Sequence, residues 1–336
     1  MSVPFDFHAA WWLGNAHAQT LWGKFMRRTP PAASRRERWE LSDGDFLDLH
    51  RLDAPPERPR LVLLHGLEGS PRSHYARGFF AEAARRGLAA DLIVFRSCGD
   101  EPNRLLRSYH SGETGDLDTV LARLVAAEPA RRLLLAGVSL GANVLLKWLG
   151  ERGASVPPNV VAAAAISAPF DLGAGSRFLE RGFSRLYQAH FLRTLRRKAR
   201  EKHARFPGGV RIDVVEGART LWEFDDAMTA PVHGFCDAAD YYARSSSLAF
   251  LASIRVPTLL LNARDDPFLP SSVLDRVSAL APANPSLVVE FPPHGGHVGF
   301  VGGRFPWSAA YYGEGRAVDF LLSHAAKRVE GAAATR

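Results

Sequence analysis

The stretch Arg132-Leu133-Leu134-Leu135-Ala136-Gly137-Val138-Ser139-Leu140-Gly141-Ala142-Asn143-Val144-Leu145-Leu146-Lys147-Trp148-Leu149 decides the fold. Its first five residues read as a short, fully buried strand, and the run from Ala142 reads as a helix with its apolar side turned inward. Between them lies Gly-Val-Ser-Leu-Gly, a G-x-S-x-G pentapeptide. A reversal this tight strains the backbone at the serine and demands small neighbours, so that strand and helix can approach. The strain lifts the Ser139 hydroxyl above the sheet, at the positive end of the following helix, where an oxyanion is stabilised. An ordinary strand–helix turn could carry the same five residues. The strand before it and the helix after it favour a nucleophile.

A serine hydroxyl is a weak nucleophile at neutral pH, so it calls for a histidine to take its proton and a carboxylate to orient that histidine. Two later segments offer them. In Pro257-Thr258-Leu259-Leu260-Leu261-Asn262-Ala263-Arg264-Asp265-Asp266-Pro267-Phe268-Leu269-Pro270 an apolar strand opens into a turn with two adjacent aspartates. Alone, such aspartates read as turn formers. If one of them is the acid, the other is left to cap the turn or pair with Arg264. In Val288-Val289-Glu290-Phe291-Pro292-Pro293-His294-Gly295-Gly296-His297-Val298-Gly299-Phe300 a short strand opens into a glycine-rich loop with two histidines. His297 directly follows a glycine and is the favoured base; His294 is left to orient the loop or bond backbone. No matching cluster completes a metal site around the pair, and no metal or cofactor is expected. Earlier, Leu61-Val62-Leu63-Leu64-His65-Gly66-Leu67-Glu68-Gly69-Ser70 ends a buried strand in His-Gly. The backbone N–H groups of Leu67 and Leu140 are the candidate oxyanion donors, with His65 as a structural hydrogen-bonding residue beneath them.

With these residues placed, the chain resembles the YheT-like branch of the α/β-hydrolases, a family of candidate carboxylesterases related to animal membrane-associated lipid hydrolases. The likeness runs from about residue 7 to residue 303. It is carried by Asn15-Ala16-His17-Ala18-Gln19-Thr20, Asp43 to Leu49, His65 to Ser70, Glu101 to Arg104, Tyr109 to Thr114, Gly137 to Asn143, Arg264 to Phe268 and His294 to Phe300. Acid loops of this kind read aspartate, two residues, an apolar residue and proline. Asp266 with Leu269 and Pro270 fits that frame, and Asp265 is one place out. The resemblance implies an α/β-hydrolase fold and a Ser139–Asp266–His297 charge relay acting on carboxylic esters, with a small-molecule or lipid-like ester as substrate. Ala142 departs from the family's usual glycine, a methyl group that should be tolerated. The same triad would serve an acyltransferase or a thioesterase, and a scaffold that had lost activity would be a binding protein. Acyl length, head group and oligomeric state are not legible.

At 336 residues the chain can bury a full core of this kind. Lys and Arg number 42 against 35 Asp and Glu, an excess of 7 that invites acidic partners. The arginines are scattered, however, and no nucleic-acid-binding module accompanies them. One cluster stands out: Arg193, Arg196, Arg197, Lys198, Arg200, Lys202 and Arg205. It reads as an exposed face or as a surface that meets phospholipid headgroups. Cys98 and Cys236 have no spacing motif, which fits a reducing cytoplasm. Met1 to Asp6 lacks the basic and apolar regions of a secretory leader.

Strands and helices alternate, implying a mostly parallel sheet with helices on both faces, after a hairpin of Arg38–Leu41 and Phe46–Leu52. The alternation fails from about 170 to 250. Four parts are expected: an aromatic N-terminal extension (1–35) packed on the core, a first core part (36–169), a helical lid insertion (170–250) and a second core part (251–330). Phe170, Phe178, Phe183, Tyr187, Phe191, Trp222, Phe224, Phe235, Tyr241 and Tyr242 either line an acyl pocket or form the lid's own core. Trp11, Trp12 and Trp22 are expected to staple the extension to the body, with covering the pocket mouth or touching a membrane surface as the alternatives.

Overall fold

The computed structural model describes residues 7–333; residues 1–6, on which the expectation about a leader rests, lie outside the described part. Strands β1 (Arg35–Glu40), β2 (Phe46–Leu52), β3 (Arg60–Leu64), β4 (Ala89–Val94), β5 (Leu133–Val138), β6 (Val160–Ile166), β7 (Thr258–Leu261) and β8 (Leu287–Glu290) form one sheet, ordered β1-β2-β4-β3-β5-β6-β7-β8. β1–β2 and β2–β4 pair antiparallel, and every later pair is parallel. Helix α1 (Ala16–Met26) precedes the sheet; α2 (His74–Arg85), α3 (Gly115–Ala127) and α4 (Leu140–Arg152) follow β3, β4 and β5. Between β6 and β7 the chain makes a helical excursion: α5 (Leu172–Leu179), α6 (Ser184–Arg205), α7 (Ile212–Gly217), α8 (Leu221–Phe224), a π-helical turn (Asp225–Thr229), α9 (Ala230–His233) and α10 (Ala238–Ser245). Helix α11 (Ser271–Leu280) joins β7 to β8, and α12 (Tyr312–Ala333) follows a small pair, β9 (Val301–Gly302) and β10 (Ala310–Tyr311).

The parallel strands are largely apolar because both sheet faces are covered, and the buried Arg60 of β3 and Asp91 of β4 pair with each other at 2.8 Å. Val62 and Leu64 of β3 pack with Leu135 of β5 against α3 and α4, through Leu121, Leu124, Val144 and Trp148. Leu61 and Leu63 point the other way, with Leu134 and Ala136, against Phe79 of α2 and Val318 and Leu321 of α12. The antiparallel edge is charged instead. Arg36 and Arg38 of β1 pair with Asp48 of β2 at 2.8 and 2.9 Å and with Glu101 beyond β4. The β1 strand therefore starts at Arg35, three residues before the expected hairpin: its partners are carboxylates, which an apolar pattern does not register. Arg96, buried, joins Asp43 of the hairpin turn to Asp116 in the first turn of α3, each at 2.7 Å. Among the described residues no helix is long and apolar enough to cross a membrane.

Burial pushes His65, His74 and His233 down to about 4 and His110 well below its ordinary 6.5. The unfolded chain binds those protons first, so this stability is full above about pH 6.5 and drains as pH falls. The slope is about 1.4 kcal/mol per pH unit for each titrating group. Asp225, raised by burial to about 6, opposes it with the contrary sign. The urea midpoint is expected to fall between pH 7 and pH 5.5; a constant midpoint would contradict this.

Candidate active site

Ser139 stands at the β5–α4 junction with φ 54° and ψ −119°, a left-handed backbone that a non-glycine residue adopts only when held there. Its N–H donates to the Ile166 carbonyl at 2.8 Å, anchoring the turn to β6. A Cβ at Gly137 would lie 2.5 Å from the Gly141 oxygen, and one at Gly141 2.5 Å from the carbonyl oxygens of Leu64 and His65. The flanking glycines are thus required by approach between backbones. The Ala142 methyl, by contrast, is fully buried in the core. Gly141→Ala is expected to cost about 1–3 kcal/mol, because backbone on both sides cannot yield. Its melting temperature should fall by several degrees; an unchanged melt would show that the junction is slack.

Asp266, His297 and Ser139 form one line. Asp266 Oδ2 lies 2.8 Å from His297 Nδ1, and His297 Nε2 lies 2.9 Å from Ser139 Oγ. A carboxylate can only accept, so Nδ1 carries the proton and Nε2 is free to receive one from the serine. Asp266 Oδ1 accepts the Phe268 N–H at 2.8 Å, and the Asp266 side chain is almost wholly buried. The Phe268 ring lies flat on the imidazole, with centroids 4.0 Å apart and planes at 9°. Asp265 faces elsewhere: it accepts the Gly296 N–H at 2.9 Å and lies 3.3 Å from His294 Nδ1. Of the two roles offered for it, capping the turn or pairing with Arg264, the second is not taken: Arg264 reaches Asp275 at 2.7 Å. Asp265 holds the loop that carries His297, and the exposed His294 is its companion. Among the described residues no group of three or more His, Cys, Asp or Glu could hold a metal ion.

Helix α1 supplies the other grip on that loop. Thr20 Oγ1 accepts the His297 N–H at 2.9 Å, and the buried Gln19 amide spans the Val301 N–H and carbonyl at 2.8 and 2.9 Å. A Cβ at Gly296 or Gly299 would lie 2.5 Å from the Ala16 or Gln19 carbonyl oxygen. Trp12 packs edge-on against Trp22, and the Trp11 and Trp12 indole N–H groups donate to Arg304 and Gly303 carbonyls. These tryptophans bind the N-terminal segment to residues 301–304, although the Trp11 ring remains exposed. Nothing in the apolar pattern marks Thr20 or Gln19 as part of a site. Their only signal is the Asn15–Thr20 stretch itself.

Across the elbow, a Cβ on Gly66 would meet the Ser139 Cβ at 3.2 Å. The Gly66 N–H donates to Tyr75 Oη and the Glu68 N–H to Tyr109 Oη, both at 2.9 Å. Between them the Leu67 N–H has no acceptor among the described residues. His65 is fully buried; its Nε2 accepts the Phe95 N–H at 3.1 Å, so Nδ1 donates to the Gly66 carbonyl at 2.7 Å. It braces the loop and does not titrate near neutrality.

Ser139, His297, Leu67 and Leu140 border a cavity of about 1200 Å³, counted with its open mouth. Of the ten aromatics proposed for it, Phe191, Phe224, Tyr241 and Tyr242 line it. Phe170 belongs to the main core, while Phe183 and Tyr187 lie tilted against His17 of α1. The basic cluster divides. Arg193, Arg197, Arg200 and Arg205 are exposed, whereas Lys198 and Lys202 line the cavity, one turn apart on α6. Lys202 is 5% exposed and donates to the Leu105 and Arg107 carbonyls. Burial lowers it to about 8.

Residues 59–303 match the profile of the alpha/beta hydrolase fold family. The chain is 41% identical to the candidate esterase YheT of Escherichia coli (strain K12), over 92% of this chain and 91% of that one. It is 31% identical to phospholipase ABHD3 of Mus musculus, over 92% of this chain and 76% of that one. A solved esterase of Pyrococcus furiosus matches with a TM-score of 0.53 at 18% identity, covering 79% of this chain and 83% of that one, a likeness of fold.

Proposed function

The chain belongs to the α/β-hydrolase family, in its YheT-like branch, and on that premise we propose that it is a serine hydrolase cleaving carboxylic esters through an acyl-enzyme. One observation carries the reading: the unbroken hydrogen-bond line from buried Asp266 through His297 to a serine held at positive φ beside an apolar cavity. Ser139 Oγ attacks the ester carbonyl carbon while His297 Nε2 takes its proton. Asp266 stays ionised and stabilises the imidazolium. The Leu67 and Leu140 N–H groups receive the tetrahedral oxygen. His297 then returns the proton to the departing alcohol oxygen, the C–O bond breaks, and water repeats the sequence on the acyl-serine to release the acid.

The excursion over 170–250 is taken as the lid, between core parts 36–169 and 251–330, with 1–35 as the extension that braces the base. The apolar lining and the likeness to a protein named as a phospholipase support a lipid-like ester substrate. A fluorophosphonate probe tests the mechanism directly. It is expected to label one residue, Ser139, in folded protein, as read by peptide mass mapping; a label elsewhere, or none, would reject the assignment.

A further inference from the structure

Two side chains outside the Ser139 line converge on Glu68, the residue after Leu67. Glu68 has φ 55°, a conformation its neighbours must enforce. Its N–H donates to Tyr109 Oη at 2.9 Å, and the Tyr109 hydroxyl donates back to Glu68 Oε1 at 2.8 Å. The same carboxylate oxygen accepts from Lys198 Nζ at 2.5 Å. Tyr109 is a core residue, 8% exposed and stacked on Phe95. Lys198 comes from α6, which also presents Phe191 and Leu195 to the cavity. On the other side of Leu67, Tyr75 holds the Gly66 N–H. Tyrosine hydroxyls thus pin the backbone on both flanks of Leu67, and only one flank is tied to the helical excursion.

The Lys198–Glu68 pair is largely buried, with side chains 18% and 12% exposed. Desolvation consumes most of the attraction in such a pair, so its value lies in the geometry it imposes. We infer that Glu68 is a positioning residue: clamped between Tyr109 of the core and Lys198 of α6, it sets the direction of the Leu67 N–H. The inference rests on the serine-hydrolase reading above. It makes α6 seated over the cavity and a formed oxyanion site one state of the molecule. When α6 lifts, Lys198 withdraws, Glu68 keeps Tyr109 alone, and the positive-φ backbone is free to relax and turn the Leu67 donor away.

The test compares Lys198→Met, Tyr109→Phe, Glu68→Gln and Lys198→Arg in the full chain, each checked for an intact melt. With p-nitrophenyl butyrate, Lys198→Met and Tyr109→Phe should lower kcat about 10- to 100-fold, as for a displaced positioning group. KM should move by less than about threefold, since Glu68 acts on the transition state. The rate of fluorophosphonate labelling should fall by a similar factor, because the phosphoryl oxygen needs the same donor. Lys198→Arg should restore most of kcat. The double variant Lys198→Met with Glu68→Gln should lose no more than the worse single one. Retention of kcat within twofold in Lys198→Met overturns the inference, and that variant decides should Tyr109→Phe fail to fold. A rise in KM alone overturns it too, making Lys198 a substrate contact. Ser139→Ala separates the two levels: if it is inactive while Lys198→Met is unimpaired, only this inference falls, whereas full turnover by Ser139→Ala removes the hydrolase reading itself.

Discussion

Ser139→Ala is expected to abolish ester turnover, lowering kcat on p-nitrophenyl butyrate by at least about 10⁴-fold while leaving the melting temperature in place. The size follows from what is lost. Without Oγ no acyl-enzyme forms, and the remaining donors act only on water attack, as in other sites where the whole relay fails with its serine. The fold should survive because alanine keeps the Cβ and the Ser139 N–H bond to Ile166. Only the 2.9 Å contact to His297 Nε2 goes. Turnover within tenfold of the parent would mean that the chemistry lies elsewhere in the chain.

The second large effect separates two neighbouring carboxylates. Asp266→Asn should lower kcat about 10⁴-fold, because an amide can donate toward Nδ1, move the imidazole proton to Nε2 and leave no acceptor facing the serine. Asp265→Asn should cost less than about tenfold, since the asparagine oxygen can still accept the Gly296 N–H that Asp265 now holds. Equal losses in both variants would mean that the loop, and not the acid at the imidazole, governs activity. Reversed losses would move the acid to residue 265.

How much of this is legible in the chain depends on whether partners are local. The β5–elbow–α4 junction is readable because an apolar run, two glycines and a helix former lie side by side, and the buried parallel strands are readable for the same reason. β1 is not: its arginines earn their place from Asp48 and Glu101, which a hydrophobic pattern ignores. The role of Asp265 likewise hangs on a backbone N–H 31 positions downstream. The basic run on α6 is the sharpest case. Composition reads it as one solvated face, yet Lys198 turns inward to a carboxylate 130 positions away. The candidate nucleophile, acid and base each lie in the loop that follows an apolar strand, as Glu68 does after β3, whereas Thr20 on α1 and Tyr109, far beyond β4, follow no such strand closely.

The grip of α1 on the His297 loop has a practical side. A recombinant piece trimmed to the family match, residues 59–303, would keep serine, base and acid intact in its own sequence. It would still lack Thr20 and Gln19, the outer clasp on residues 297 and 301. The boundaries of the family profile are therefore narrower than those of the support around the candidate site, and whoever clones this protein should begin well before residue 15.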